Sequence, residues 1–449
     1  MLENKQPVFD FSHLREVTNE KYYQYYWNTD RYFATYGSGG SGKSHWCAQK
    51  ILYRFFSEDV GHSFLVLRKY TPSLAESAFK LVKDYLVRWN LYDKCKVTVK
   101  PMQIVNNVNG NEIYFRGLDD LEKIKSIENI TSIWYEEATE ASYNDILQLD
   151  TRLRPKFKGG CTDPEKGCYA QILYSYNPIS KQKWTYKEHY RENPKSYRKR
   201  IVTKVEYNGK IQEVTSWMTV LQTTYKDNKF LPLEYVAALE AKKNQSLAHY
   251  KIYALGEYAD IQHKIYKDPI KLKKFKEQEY DKVWFGLDFG FNHPMALVKT
   301  CKKDDNRYVS TVFYESGYDT KQFIEWLDDN KFSKRALIYA DSAEPDRIQQ
   351  IRDAGYNIRP AYKGAGSVLA GIDHCKALNV YILESDVYLE REFMLYNYLE
   401  DKDGNLVYDQ NGNEKVAKID DDLMDAWRYA EYTWFIEGGR QPSCRLIEY

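Results

Sequence analysis

Cysteine is scarce in this chain and never occurs at the spacing of a metal-binding pair. The 449 residues include seven cysteines, and no two of them form a C-x-x-C motif. The closest pair, Cys161 and Cys168, has no histidine nearby in the sequence. We therefore expect neither disulfide bonds nor a structural zinc site.

Long apolar runs are missing as well. No stretch approaches the roughly 20 apolar residues of a membrane-spanning helix, and the N-terminal residues are polar, without the pattern of a secretory signal. A hydrophobic content of 43% and a charged content of 29% are typical of a globular protein. We expect a cytoplasmic protein without a membrane partner, and its length predicts two or three domains.

A net charge of only +1 conceals one basic region. Residues 181–210 contain ten lysines and arginines against three acidic residues, and the densest part, 195–200, also contains tyrosine. Basic residues interleaved with tyrosine suit a nucleic-acid backbone, whereas most charged runs are simply solvated surface. The sequence leaves both interpretations open.

Residues 37–44 read GSGGSGKS and match the phosphate-loop motif G-x-x-x-x-G-K-[ST] at every fixed position. An apolar run, Tyr32–Tyr36, precedes the motif, and apolar residues at helical spacing follow it. A loop between a buried strand and a helix N-terminus presents backbone N–H groups to phosphate oxygens. Its lysine binds the phosphates, and its serine hydroxyl binds Mg²⁺. The candidate cofactor-binding residues in this loop are Gly37, Gly39, Gly40, Ser41, Gly42, Lys43 and Ser44.

The same loop also satisfies G-x-G-x-x-G, the pattern of a dinucleotide-binding fold. That fold needs an acidic residue near the end of the next strand to bind the ribose. The next strand here, 64–67, runs instead into Arg68 and Lys69. We therefore reject the dinucleotide site and retain the phosphate loop.

A second apolar strand ends in two adjacent acids, Glu136 and Glu137. A P-loop enzyme needs one carboxylate for the Mg²⁺ shell and another to polarise the attacking water. We assign Glu136 to the metal and Glu137 to the water. The following strand carries Ser175 and ends at Asn177, and these two are either sensors of the γ-phosphate or, as an Asn-Pro pair favours, part of a simple turn.

Strands alternate with helical stretches through the first half, which predicts a mainly parallel α/β sheet. A helical and then lysine-rich connector follows, and a second set of strands begins near residue 283. We therefore divide the chain into an ATPase domain (1–225), a linker (226–280) and a second domain (281–449).

Acidic residues recur at corresponding positions in the second half. Asp288 and Asp341 each end an apolar strand, while Asp422, Asp425 and Tyr429 share one face of a predicted helix. Such acids are compatible with two divalent metals that promote in-line attack on a phosphodiester, although their spacing alone does not name a nuclease. Asp422 is alternatively an exposed acid or the cap of its helix.

The order of these motifs resembles that of the large subunit of tailed-bacteriophage terminases, the ATP-driven motors that pump the genome into the procapsid and cut it. The match runs from about Tyr32 to Ala430 and includes the less generic pieces 115–120 and 123–126. The combination is far more specific than any single motif.

The resemblance implies an N-terminal ATPase of the additional-strand P-loop type and a C-terminal nuclease with a ribonuclease H-like fold. Asp288, Asp341 and Asp425 then correspond to metal-binding catalytic acids. It also implies ATP and Mg²⁺ as cofactors, with Mn²⁺ as an option in the nuclease site. The implied partners are double-stranded DNA, a small terminase subunit and the procapsid portal, on which the protein docks as a homo-oligomeric ring.

Two positions depart from the family pattern. Many relatives have an arginine where this chain has Gly39, so a charge-stabilising arginine must come from elsewhere, with Arg152 and Arg154 as weak candidates. Asp422 stands where related sequences often have histidine, which leaves open whether it binds a metal.

Two rival functions also remain: a P-loop translocase or helicase whose second domain only binds DNA, and a non-catalytic component of a capsid vertex.

Overall fold

The structure, a computed structural model, shows two compact units built from α-helices and β-strands. One unit comprises residues 1–243 and 248–260, and the other comprises residues 244–247 and 261–449. The residues described are 10–118, 124, 126–181, 183–244, 246–259, 263–275, 280–291, 293–401 and 405–438. Parts of the two family-like pieces, namely 119–120, 123 and 125, therefore lie outside the described residues.

A nine-stranded sheet organises the described part of the first unit. Its strands in chain order are β1 (Tyr32–Gly37), β2 (Ser63–Arg68), β3 (Cys95–Val99), β4 (Met102–Asn106), β5 (Glu112–Gly117), β6 (Ser132–Glu136), β7 (Gln171–Tyr176), β8 (Tyr197–Tyr207) and β9 (Lys210–Thr223). Their spatial order is β3-β4-β5-β2-β6-β7-β1-β9-β8.

The six central strands of this sheet, from β5 to β9 in space, are parallel, and an antiparallel strand pair lies at each edge. Strand β7 lies between β1, which leads into the phosphate loop, and β6, which ends in the acid pair. That inserted strand is the additional strand that the sequence predicted. The mainly parallel sheet is likewise confirmed.

Helices cover the sheet of the first unit and complete its core. Their bounds are α1 (Leu14–Val17), α2 (Glu20–Tyr23), α3 (Lys43–Ser57), α4 (Thr71–Leu74), α5 (Lys80–Arg88), α6 (Tyr143–Asp150), α7 (Trp184–His189), α8 (Leu233–Ala241) and α9 (Leu247–Tyr253). A π-helical turn, 75–79, joins α4 to α5. Helix α3 follows the phosphate loop and buries Trp46 and Phe55 against Phe33 of β1, because its apolar residues recur at helical spacing.

The described part of the second unit contains a seven-stranded mixed sheet. Its strands are β10 (Ile270–Leu272), β11 (Lys282–Asp288), β12 (Met295–Lys303), β13 (Asn306–Glu315), β14 (Ile338–Ala340), β15 (Ile358–Pro360) and β16 (Asn379–Leu383). Their order is β10-β16-β13-β12-β11-β14-β15, with an antiparallel meander from β11 to β13 and parallel pairing of β14 with both β11 and β15.

Five helices accompany this second sheet within the described residues. They are α10 (Thr320–Asp329), α11 (Pro345–Asp353), α12 (Ser367–Lys376), α13 (Val387–Leu395) and α14 (Asp422–Ile436). Helix α14 packs so closely on β11 that a Cβ added to Gly286 would lie 1.8 Å from the carbonyl oxygen of Ala426. Glycine at this position therefore lets the helix approach the strand that carries Asp288.

The expectation of a chain without disulfides is wrong. Cys161 and Cys168 form a disulfide, with their Cα atoms 5.9 Å apart. A short helical turn begins at Pro164, and Gly167 follows with φ +87°, so the chain reverses between the two cysteines. A spacing of seven residues carries no signal of such a turn.

Two further expectations concern organisation. Among the described residues, no helix is long and apolar enough to cross a membrane. The domain limits drawn from the sequence stay a prediction, and helix α8 from the predicted linker belongs to the first compact unit.

Candidate functional site

The phosphate loop lies where the sequence places it, between β1 and α3. Helix α3 begins at Lys43, and Gly42 precedes it in the left-handed region at φ +85°. A side chain would be strained in that conformation, so the motif glycine has a backbone role here. Ser44 is the second residue of the helix and is partly buried, so its hydroxyl is positioned by the first turn.

Lys43 is almost fully buried within the loop. Its ammonium group donates to the carbonyl oxygens of Gly37 (3.2 Å) and Ser38 (2.6 Å) and to the hydroxyl of Ser41 (3.2 Å). Burial lowers the pKa of Lys43 to about 8, although the nearby charge of Glu137 opposes this shift. The lysine is thus held inside the loop by neutral acceptors rather than by a paired carboxylate.

Glu136 ends β6 and is only 5% exposed. It accepts a 2.5 Å hydrogen bond from the hydroxyl of Ser77, in the π-helical turn. Burial raises the pKa of Glu136 to about 7, while the charge of Arg68 opposes the rise. The next residue, Glu137, has a left-handed backbone (φ +51°) and is only partly buried. The two acids therefore have different environments, and the roles assigned to them stay predictions.

Arg68 is a residue of this site that sequence reasoning missed. It ends β2, the neighbour of β6, and its guanidinium donates to both carboxylate oxygens of Glu140 at 2.9 and 3.2 Å. Its charge acts on Glu136 as well. The sequence signal that could have revealed Arg68 is its position as a basic residue at the carboxyl end of a central strand. Open α/β sheets bind ligands at that edge. Of the arginines considered earlier, Arg154 is exposed and donates to the carbonyl of Thr151.

Ser175 lies in β7 next to Glu136 on the neighbouring strand. It is buried, and its hydroxyl accepts a 2.9 Å hydrogen bond from the indole of Trp134. Asn177 follows the strand and is partly buried. The sensing role suggested for these two residues stays a prediction.

Residues from the predicted linker contact the loop at its two middle glycines. The backbone N–H of Gly39 donates to the carbonyl of Tyr253 (2.9 Å), and the side-chain amide of Asn228 donates to the carbonyl of Gly40 (2.6 Å). A Cβ on Gly39 would lie 3.1 Å from the hydroxyl of Tyr235, and a Cβ on Gly40 would lie 2.6 Å from its ring. A larger side chain at either glycine would therefore meet Tyr235.

The second candidate site lies in the other unit, at the end of β11. Because β11 and β14 are parallel neighbours, Asp288 and Asp341 meet at one edge of the sheet. Helix α14 brings Asp425 to the same place. Burial raises the pKa of Asp288 well above its usual range, and the charges of Asp425, Asp422 and Asp341 add to the rise. The structure thus brings the four predicted acids within electrostatic reach of one another.

These carboxylates are engaged by cationic side chains. Asp425 accepts from Arg428 at 2.9 Å through one oxygen and from Lys418 at 2.8 Å through the other. Asp341 accepts from Lys363 at 3.1 Å. Across the described ranges of the chain, no three histidine, cysteine or acidic side chains form a metal-ligand set. The acids share one region, and the oxygens of Asp425 and Asp341 contact ammonium and guanidinium groups.

Asp422 is partly buried at the start of α14. Burial raises its pKa to about 6, the charge of Asp421 adds to the rise, and His293 opposes it. His293 therefore lies within electrostatic range of Asp422. Sequence reasoning overlooked this histidine because 129 positions separate it from Asp422.

Glu392 is another residue that the sequence did not reveal. One of its carboxylate oxygens accepts from the backbone N–H groups of Leu423 (2.8 Å) and Met424 (3.1 Å), the first turn of α14. This side chain is fully buried on α13. A residue distant in sequence therefore caps the helix, and the alternative in which Asp422 caps it is wrong.

The basic segment 195–200 makes contacts within its own unit. Arg198 pairs with both oxygens of Asp30 (2.7 and 2.9 Å) and lies over the ring of Trp217. Lys195 forms an ion pair with Glu257. Part of the segment's charge is thus neutralised within the fold, and contact with DNA stays a prediction.

Comparison with known families assigns both units. The model of the phage terminase large subunit matches residues 29–257, and that of the terminase RNase H-like domain matches residues 288–431. These matches confirm the predicted fold class, an α/β ATPase domain followed by an RNase H-like domain.

Two curated relatives resemble most of the chain. The PBSX phage terminase large subunit of Bacillus subtilis (strain 168) is 27% identical over 391 residues, which cover 83% of this chain and 85% of the relative. The terminase large subunit of Bacillus phage SPP1 is 27% identical over 419 residues, covering 88% and 89%. Among solved structures, the large terminase of a thermophilic bacteriophage in complex with ADP is 17% identical with a TM-score of 0.43, covering 94% of this chain and 100% of that one.

Proposed function

This chain belongs to the phage terminase large-subunit family, and we propose that it packages and cuts a phage genome. In this proposal, ATP hydrolysis in the first unit moves double-stranded DNA into a procapsid, and the second unit cleaves the concatemeric DNA. The observation that carries the proposal is the joint presence of a phosphate loop with an acid pair two strands away and a separate cluster of aspartates at one sheet edge.

In the ATPase site, Lys43 and the loop N–H groups other than those of Ser38 and Gly39, which donate to backbone carbonyls, bind the β- and γ-phosphates of ATP. Lys43 suits this task because its present partners are neutral oxygens, which phosphate oxygens outcompete as acceptors for a buried ammonium. Ser44 and Glu136 would hold Mg²⁺, and their hydroxyl and carboxylate oxygens fit a hard cation. The bound ion neutralises charge on the phosphates. Glu137 orients the attacking water and accepts its proton.

In the nuclease site, Asp288, Asp341, Asp425 and Asp422 would hold divalent cations. All four offer carboxylate oxygens, the donors that Mg²⁺ and Mn²⁺ prefer, and a cluster of like charges in a partly buried place is stabilised by such ions. The ions supply charge neutralisation for the phosphodiester. Hydrolysis adds water to phosphorus and breaks the bond to one ester oxygen.

The partners and the location of the protein belong to the same proposal. We infer that it works in the host cytoplasm at the portal of the procapsid, as a homo-oligomeric ring and together with a small terminase subunit. Family membership supports these assignments. Arg68, paired with Glu140 beside the acid pair, is our candidate for a stabilising arginine supplied by the same chain.

Two assays on the intact wild-type protein test this function. We expect ATP hydrolysis that double-stranded DNA stimulates, and we expect conversion of supercoiled plasmid to linear DNA in Mg²⁺ or Mn²⁺ but not in EDTA. Hydrolysis of ATP without metal-dependent cutting would favour the rival translocase with a non-cutting second domain. Absence of both activities would favour a structural component of the capsid vertex.

A further inference from the structure

Two lysines occupy carboxylate oxygens of the proposed nuclease site. The ammonium group of Lys418 contacts Asp425 at 2.8 Å and Asp421 at 3.0 Å, and that of Lys363 contacts Asp341 at 3.1 Å. Their side chains remain 58% and 52% exposed. Each lysine therefore reaches the acids from solvent with its stem free to swing away.

Arg428 is the opposite case. Its guanidinium also contacts Asp425, at 2.9 Å, but its side chain is only 5% exposed. This cation is fixed, and it leaves the second oxygen of Asp425 to Lys418. One carboxylate oxygen of Asp425 is thus held by an exposed cation and the other by a buried one.

We propose that Lys418 and Lys363 are exchangeable counter-ions that switch from carboxylate to DNA. When a divalent cation occupies the acid cluster, both ammonium groups leave their carboxylates and become available to bind phosphates of the DNA backbone. This inference rests on the proposed nuclease function and adds a substrate-binding role for these two lysines.

Charge compensation supports the exchange. Without added cations, the clustered acids repel one another, and the lysines relieve that repulsion. A divalent ion carries twice the charge of an ammonium group, so the acids no longer need the lysine to relieve their repulsion. The displaced lysines cannot move far, because the backbone holds them beside the cluster, so their charge becomes available where a phosphodiester must lie. Lysine suits this second role because a flexible stem carries a compact charge.

Metal binding gives the first measurement. In the intact protein, Lys418→Gln and Lys363→Gln should each bind Mn²⁺ roughly threefold to tenfold more tightly than wild type, because a competing cation is gone. Isothermal titration calorimetry or electron paramagnetic resonance of free Mn²⁺ measures this without any turnover. The matched control is Lys415→Gln, which removes the charge of an exposed lysine that acts on Asp409, a residue outside the acid cluster.

DNA binding gives the second measurement. With Ca²⁺ as an oxygen-liganded probe ion and a short duplex shown by gel to stay intact, each variant should bind DNA more weakly than wild type. The slope of log affinity against log salt should fall by about one per lysine removed. In EDTA the same variants should match wild type, because the lysines are then held by the carboxylates.

Tighter Mn²⁺ binding together with weaker DNA binding in the variants supports the exchange. General damage to the fold would instead weaken the binding of both. Unchanged Mn²⁺ affinity in both variants would overturn it, as would a loss of DNA affinity equal in Ca²⁺ and in EDTA. If wild type cuts plasmid in Mn²⁺ and these shifts are missing, only the inference fails. If wild type neither binds Mn²⁺ nor cuts, the proposed nuclease site fails with it.

Discussion

Burial gives Lys43 and Glu136 their chemical properties. Desolvation lowers the pKa of the lysine to about 8 and raises that of the glutamate to about 7, so both titrate much closer to neutrality than they would in water. Glu137, the next residue, is partly exposed and has a left-handed backbone. The two glutamates are thus distinguished by their environments rather than by residue type.

Loss of Lys43 and loss of Glu137 should therefore look different. Lys43→Ala should weaken ATP binding, because a buried charge for the phosphates is gone. Glu137→Gln should retain ATP binding and lose turnover by about 10²-fold or more, because an amide does not accept the proton of the attacking water. Equilibrium binding of a fluorescent ATP analogue and steady-state ATPase rates measure the two effects. Full ATPase activity in Glu137→Gln would refute the role assigned to this residue.

Helix α7 ends in a histidine that the fold keeps neutral. His189 is fully buried, and its Nδ1 shares a 2.9 Å hydrogen bond with the hydroxyl of Tyr176 in β7. Burial lowers its pKa to about 3, and the charge of Lys199 in β8 contributes. Tyr197 donates to the carbonyl of the same histidine. The packing of this helix on the sheet therefore requires an unprotonated imidazole.

The buried state of His189 makes the stability of this region depend on pH. Below pH 6.5 the unfolded chain binds a proton at His189, whereas the folded chain does so only near pH 3. The folded state with a neutral His189 therefore keeps its full stability above pH 6.5 and loses stability as the pH falls below that value. Between pH 7 and pH 5, His189 alone should lower the local free energy of unfolding by about 2 kcal/mol.

His189→Gln, which retains an acceptor for Tyr176, should lack this part of the pH dependence. Hydrogen exchange of residues 170–200 in the intact protein at pH 7, 6 and 5 measures the local stability of both proteins. We expect the local stability of wild type to fall more steeply than that of the variant as the pH falls. Parallel curves for the two proteins would contradict the buried, neutral state of His189.

Two compact units with separate candidate sites predict separable activities. Asp341→Asn should abolish metal-dependent cutting of plasmid and leave ATP hydrolysis largely intact, because Asp341 lies in the second unit. Lys43→Ala should abolish ATP hydrolysis and leave cutting of relaxed plasmid measurable. Each variant serves as the control for the other in paired assays of the full chain. Loss of ATP hydrolysis in Asp341→Asn, with cutting spared, would contradict this division.

Much of the fold could be predicted from local patterns. The apolar strand before the phosphate loop and the helical spacing after it correspond to β1 and α3, and the strand ending in Glu136 and Glu137 corresponds to β6. Asp288 and Asp341 lie at one sheet edge because parallel strands end together. The disulfide was missed since it depends on a tight turn, and the cap of α14 was missed since it comes from Glu392 on another helix.

The sequence by itself determined the phosphate loop, the acid pair, the aspartates of the second unit and the family. Motif spacing, apolar periodicity and the residues at strand ends record these features locally in the chain. Only the tertiary structure decided which other side chains contact or influence each candidate site, namely Arg68, Tyr235, His293, Lys363, Lys418 and Glu392. A single arginine, lysine or glutamate has no periodicity and forms no motif, so its role emerges only when folding places it within hydrogen-bonding or electrostatic range of its partners.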